Sequence, residues 1–221
     1  MCQRYSLKEL ATAVAIFYDQ LEEAAAEDWT PRYNVALTQK MPVVTRRAGR
    51  TKLEKLAFGL VPPPRRAGER PPVLGNARAE TLLAKPTFQD AAQYRRCLVP
   101  ADGFYEWEKQ GEARLPHYFT LKDGAPFFFA GLWEPERDDR PGAFCIVTTA
   151  PNPLLAPLHD RMPVMLGPNS GPAWLGDEPL SPARLAQLCR PLAAERMAAH
   201  RVDPRMNSVR YEAADCVTPI F

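Results

Sequence analysis

The chain has 221 residues, enough for one domain, or at most two small ones, around a substantial buried core. Hydrophobic residues make up 46% and charged residues 24%, a globular balance that excludes a wholly disordered chain. The formal net charge of +2 excludes nothing by itself; its distribution is more informative.

In chain order, the first predicted element is a helix. Ser6 and Glu9 have the S-x-x-E spacing of a capping box, and Leu7, Leu10, Val14, Phe17 and Leu21 recur at helical spacing. Asp28 to Arg32 breaks the pattern, with Pro31 as its stop. Cys2 thus stands only four residues before a docked helix, which few chain starts do. Tyr33 to Leu60 reads as short strands and turns, best at Pro42-Val43-Val44-Thr45. Val61 to Gly75, with Pro62-Pro63-Pro64-Arg65-Arg66 and Pro71-Pro72, cannot sustain a helix or central strand and reads as an exposed loop within one domain, 1–221. Asn76 to Tyr94 is expected to be partly helical and interrupted at Pro86.

The middle third reads as β. Arg96 to Pro100, Phe104 to Lys109, Phe144 to Thr149 and Met162 to Leu166 are expected strands. Tyr118 to Lys122 and Pro126 to Trp133 flank Asp123-Gly124, the signal of a hairpin. Ser181 to Leu188 and Leu192 to His200 are expected helices. The class is α+β, a single domain with a curved, mostly antiparallel sheet or partly open barrel flanked by helices. The longest strongly apolar stretch, Ala125 to Trp133, falls short of the ~20 residues of a membrane-spanning helix. The polar start lacks a signal peptide's apolar run. The 5 cysteines include no C-x-x-C pair and fit neither a disulfide framework nor a zinc ribbon, so a reducing cytoplasm is expected.

Only 3 histidines occur. His117 reads as a packing or surface residue and His200 as solvent-facing. His159 lies in a proline-bounded connection, where a rigid scaffold can present chemistry. Cys97, Cys145, Cys189 and Cys216 sit in apolar runs, where cysteine acts as a small hydrophobe. Cys2 differs: once Met1 is removed it offers an α-amine and a thiol on adjacent carbons. An α-amine titrates near 7.7–8.0, so an appreciable neutral fraction can attack a carbonyl. The amine gives a Schiff base with an aldehyde, and the thiol can then close a five-membered ring. Read alone, Cys2 is more simply an incidental second residue. Glu106, between Tyr105 and Trp107, becomes a usable proton donor or acceptor only if it points inward. Between Arg46 and Arg70, eight basic residues stand against two acidic ones, a net +6. Such a stretch fits a single-strand nucleic-acid surface or a solvated cationic loop.

Taken together, several segments resemble the SOS-response-associated peptidase (SRAP) family. They are Met1-Cys2-Gln3-Arg4-Tyr5, Pro31-Arg32-Tyr33-Asn34-Val35-Ala36, Gly59-Leu60-Val61-Pro62 and Asn76-Ala77-Arg78-Ala79-Glu80-Thr81. Further on come Arg96 through Trp107, Ala130-Gly131-Leu132-Trp133-Glu134, Ile146-Val147-Thr148-Thr149 and His159-Asp160-Arg161-Met162-Pro163-Val164.

The resemblance implies covalent capture of abasic sites in single-stranded DNA. In that reading Cys2 forms a thiazolidine with the ring-opened sugar, and Asn76 hydrogen-bonds near the reacting group. Glu106 and His159 move protons, while Arg4, Arg78 and Arg161 hold phosphates. It further implies a weak abasic-site lyase activity and a self-processing or peptidase activity through the same cysteine. No metal or other cofactor is expected. The expected partner is abasic single-stranded DNA, bound by a monomer without a membrane, in the cytoplasm and on the nucleoid when DNA is engaged. Gln3 replaces the family's usual glycine, Leu37 a proline and Phe58 a common tryptophan, and the 61–75 loop differs. Two other classes remain open: a cysteine hydrolase using Cys2 and His159, and a noncatalytic single-strand binder.

Overall fold

The structure, a computed structural model, describes residues 3–15, 29–64, 66, 68–137 and 140–220. Five strands form one sheet: β1 (Tyr5–Leu7), β2 (Arg32–Val35), β7 (Gly103–Gln110), β8 (Ala113–Leu121) and β13 (Met197–Arg201), in the order β13-β8-β7-β1-β2. The second sheet contains β3 (Lys40–Arg47), β4 (Arg50–Phe58), β5 (Asn76–Arg78), β6 (Arg96–Ala101), β9 (Phe127–Glu134) and β10 (Ala143–Thr149). Two short strands, β11 (Met162–Pro163) and β12 (Met165–Leu166), complete it. Its order is β11-β10-β4-β3-β6-β9-β12, and a further β9–β10 ladder closes β10, β4, β3, β6 and β9 into a ring. β10 runs parallel to β4 and β5, while the other ladders are antiparallel. The expected α+β class and curved, partly closing sheet are therefore present.

Aromatic rings join the two sheets. Tyr5 is wholly buried and meets Phe58 and Phe129 edge-on, with centroids 5.7 and 5.8 Å apart. Phe104 stacks on Phe119 at 5.2 Å and meets Phe129 edge-on at 6.0 Å. Offset and edge-to-face pairs of this kind add to the burial of the rings themselves. On the other face of the five-stranded sheet, Tyr105 and Tyr118 pack with Val202, Met206 and Cys216. Phe58 stacks on Phe144 at 5.1 Å.

Helices α2 (Pro86–Tyr94), α3 (Ser170–Leu175) and α4 (Pro182–Leu188) join the second sheet's flank. The Arg96 guanidinium ties them together, donating to the carbonyls of Ala92, Gln93, Trp174, Gly176 and Glu178. These include orphan carbonyls at helix ends, which need such a donor when buried. Trp174, also fully buried, gives its indole N–H to the Cys97 and Gly131 carbonyls at 3.0 and 3.2 Å.

Several local expectations are corrected. Ser6 is no helix cap: it lies in β1, and its hydroxyl sits 2.6 Å from that of Tyr118. The helix α1 begins only at Leu10 and runs to Val14, with no side-chain cap at Glu9. Pairing to neighbouring strands overrides the local capping signal. Leu10 and Val14 do face the core, while Phe17 and Leu21 lie outside the described residues. Pro86 does not interrupt a helix but opens α2, where its fixed φ suits the first turn and its missing N–H costs nothing. Asn76–Arg78 is a strand because β10 offers it a parallel ladder.

Asp123-Gly124 does form a turn, with Gly124 at φ +72°, but β8 and β9 then part into different sheets. The hairpin lies instead between β7 and β8, around Gly111. The expected strand over Met162 to Leu166 divides at Val164, whose N–H donates to Val147 and whose carbonyl accepts from Ala130. Leu192 to His200 is not helical. A 3-10 turn over Ala194–Arg196 leads into β13, which takes the open edge of β8.

Gly103 makes the closest approach in the sheet that carries β1. A Cβ there would lie 2.4 Å from the ring of Tyr118, itself 3% exposed and held by Ser6. Gly103→Ala is expected to destabilise the fold by about 1–3 kcal/mol through overpacking. Urea denaturation checks this, and an unchanged midpoint would refute the close contact.

Candidate active site

The site begins with how the chain start is held. Tyr5 pairs with Val35 of β2 on one side and with Phe104 of β7 on the other, and Ser6 pairs with Gly103. The Tyr105 N–H donates to the Arg4 carbonyl at 3.0 Å, which carries the β7 ladder one residue further towards the start. The same register brings Gln3 abreast of Glu106. Gln3 packs over Gly75: a Cβ on Gly75 would meet Gln3 Cγ at 3.3 Å and Leu37 Cδ2 at 2.7 Å. Gln3 and Leu37 therefore converge on the residue before Asn76. Cys2 lies outside the described residues, directly before Gln3.

Glu106 points inward, on the same face of β7 as Phe104, and is 2% exposed. Burial raises its pKa to about 7, and the nearby Asp160 charge pushes in the same direction. Strand alternation had left its direction open. His117, opposite Glu106 across the β7–β8 ladder, turns its Nε2 to Glu108 at 3.1 Å. It plays the packing role expected of it.

The opposite wall is built by β5, β10 and β11. Asn76 pairs with Ile146 and its amide donates to the Ile146 carbonyl at 3.4 Å. Arg78, two residues on, pairs with Thr148 and is exposed. The 150–161 connection returns the chain to β11, where Met162 pairs with Thr149. Asn152 fixes the connection's first turn, its Oδ1 accepting from the N–H groups of Leu154 and Leu155 at 3.1 and 3.0 Å. His159 closes the turn, with its N–H on the Leu155 carbonyl.

The His159 ring is a quarter exposed, and its Nδ1 accepts the Arg161 N–H at 2.9 Å. Asp160 Oδ1 lies equally near that nitrogen, which by itself favours the charged ring. Asp160 is 78% exposed, however, so water screens its charge, and burial carries the balance. The net pKa lies below the usual histidine value. The ring is then neutral at pH 7, with Nδ1 as acceptor and the proton on Nε2. Because Asp160 acts on Glu106, the His159–Asp160 turn and β7 border one region.

Arg161 stands beside this turn. It forms a two-pronged ion pair with Glu80 at 2.8 Å and donates to the Thr148 carbonyl at 2.6 Å. The pairing holds the Glu80 carboxyl below its usual range. Sequence reasoning gives Glu80 no role, although it lies in the same quoted segment as Asn76 and Arg78. Arg4 does not join this group. On the opposite face of β1, its guanidinium is buried on Asn34 Oδ1 and on the carbonyls of Met206 and Asn207. Asn34 is the other residue whose role went unread: its amide also reaches the carbonyls of Met206, Ser208 and Tyr211.

The part of the basic stretch at the β3–β4 turn is carried away from the site. β4 ends beside Phe144, and β10 runs on past that point to Thr148, whereas Arg46, Arg47 and Arg50 lie at the other end of β3 and β4. Arg46 pairs with Asp177 at 2.9 Å, and Arg47 pairs with Glu54 at 3.0 Å while lying 4.1 Å over the Trp133 ring. His200 is on β13, not a helix, and its Nε2 meets the Val217 carbonyl at 2.9 Å. Cys97, Cys145, Cys189 and Cys216 are buried and, among the described residues, no three His, Cys, Asp or Glu side chains gather as a metal cage.

The family model for SOS response associated peptidase (SRAP) matches residues 1–209. The chain is 34% identical to the abasic site processing protein YoaM of Bacillus subtilis, over 97% of this chain and 96% of that protein. It is 29% identical to the abasic site processing protein YedK of Escherichia coli, over the whole of both. Among solved structures, a phage-related protein of Bordetella bronchiseptica superposes with a TM-score of 0.72 at 27% identity, covering 99% of each chain. A protein of Bacteroides thetaiotaomicron shares the fold at a TM-score of 0.81 and 24% identity, covering all of both chains.

The raised pKa of Glu106 has a stability consequence with a definite sign. Between about pH 4.5, its ordinary value, and about 7, the folded state holds a proton that the unfolded state has released. Stability from this group is therefore full below pH 4.5 and is lost as pH rises through 7. Glu106→Gln is expected to remove that decline and to be the more stable form at pH 8. Parallel pH-dependent urea melts of the two proteins check it; identical pH profiles would show the carboxyl to be unperturbed.

Proposed function

Because this chain belongs to the SOS response associated peptidase (SRAP) family, we propose that it captures abasic sites in single-stranded DNA as a covalent thiazolidine on Cys2. The observation that carries the reading is the buried carboxyl of Glu106 abreast of Gln3, the residue that follows Cys2. Removal of Met1 would give Cys2 its free amine beside that carboxyl. In this reading Asn76 and the neutral His159 join the constellation.

The abasic sugar is mostly a closed hemiacetal. Opening it moves a proton from the anomeric hydroxyl and returns one to the ring oxygen. A carboxyl titrating at about 7 can do either near neutrality, and His159 is the second exchange partner. The Cys2 amine adds to the exposed aldehyde, and the carbinolamine loses water to give an imine. The thiol sulfur then bonds to the imine carbon, and its proton passes to the nitrogen. One water is lost overall.

The imine stage also permits β-elimination of the 3′ phosphate, so a weak lyase activity is the side path. The peptidase activity in the family name would use the same sulfur and is secondary in this account. Arg78, exposed two residues after Asn76, and Arg161, which would exchange Glu80 for phosphate, would hold the backbone. Arg4 would act by fixing β1 from behind.

Cys2→Ala is expected to abolish the heat-stable complex with an abasic oligonucleotide seen by denaturing gel. Glu106→Gln should slow its formation by about 100-fold or more, the usual worth of a positioned acid or base. Unchanged yield in the first variant would defeat the mechanism, and unchanged rate in the second would remove Glu106 from it. A hydrolase working through Cys2 and His159 leaves no adduct with the unaltered chain.

A further inference from the structure

The strand that leaves Arg161 leads to a second feature. Through β11, Val164 and β12 the chain covers about five residues, or ~16 Å, before reaching Leu166. There β12, α3, α4 and the turn after α4 enclose a groove of about 400 Å³. Leu166, Leu188 and Leu192 line it together with Arg184, Arg190 and Arg196, and no acidic residue is among its lining.

Several of the molecule's other arginines are taken up by internal partners. Arg161 is engaged with Glu80, Arg46 with Asp177 and Arg205 with Asp203, while Arg96 is consumed by carbonyls. Arg184 donates only to the neutral Gln187, at 2.8 Å. Arg190 and Arg196 are exposed and, among the described residues, have no ion pair or side-chain hydrogen bond. Three guanidinium groups therefore border one groove with no counter-charge in it.

The groove is also tied to the elements of the site. Helix α4 packs against the Ala79–Thr81 turn that carries Glu80. Asn152, which shapes the first turn of the His159 connection, donates its amide to the Leu192 carbonyl at 2.8 Å. We infer that this groove takes the sugar-phosphate backbone of the single strand flanking the lesion. The inference rests on the abasic-site reading and extends it. Guanidinium forks match phosphate oxygens, and the aliphatic floor suits the apolar faces of the sugars. An acidic peptide would also satisfy the arginines, but continuity with Arg161 favours the strand.

The test is noncovalent binding of intact single-stranded 20-mers by the full chain over a salt series. Each phosphate contact contributes about 0.7 to the slope of log K against log salt on a single strand. The double variant Arg190→Ala/Arg196→Ala should weaken binding and lower that slope by ~1.4. Arg190→Lys/Arg196→Lys should retain most of it, since the charge remains.

Equal slopes on the 20-mer in a variant that melts normally would overturn the inference. So would loss of binding to a Glu- and Leu-containing peptide with DNA binding intact, which would assign the groove to a protein segment. If the unaltered chain forms no adduct with abasic DNA while the slope still drops, the groove stands and the crosslinking reading falls.

Discussion

The pairing of β1 on both of its edges is the constraint on which the site depends. A chain start normally frays because a few backbone hydrogen bonds do not offset the entropy of ordering it. Here three residues, Tyr5–Leu7, sit between β2 and β7 as an interior strand, buried on both faces. The Tyr5 ring locks into the aromatic contacts between the sheets, and Arg4 is clamped from behind by Asn34 and two carbonyls. Register then does the rest: once Tyr5 faces Phe104, Gln3 can only face Glu106.

Burial does two jobs in this molecule. At Arg96 it is met by five carbonyls that accept the guanidinium, and helix ends gain donors in return. At Glu106 it is left partly uncompensated, and the cost appears as a carboxyl that keeps its proton to about pH 7. Perturbed groups of that kind mark candidate sites of proton exchange. His159 is moved in the complementary direction and stays neutral.

Legibility differed between levels. The strands with strong β composition, such as Lys40–Arg47 and Ala143–Thr149, could be read because their own residues specify them. Ser6, Leu192 to His200 and the Asp123-Gly124 turn misled because their local signals are overridden by partners distant in sequence. Ser6 meets Tyr118, β13 meets β8, and β9 leaves for another sheet. Glu106 and His159 were visible as residue types, but their burial and orientation needed the folded chain. Arg4 shows the reverse: a cation that matched a phosphate-binding pattern is placed on the far face of its strand, bound to Asn34. Glu80 could not be assigned from sequence, because only β5 lying along β10 brings it to Arg161.

Intact-mass spectrometry of the chain after incubation with an oligonucleotide bearing one abasic residue tests the central claim most directly. The account requires a single new species: the chain without Met1 plus the oligonucleotide, less one water. An adduct that retains Met1, or unmodified protein alone at saturating oligonucleotide, would contradict it.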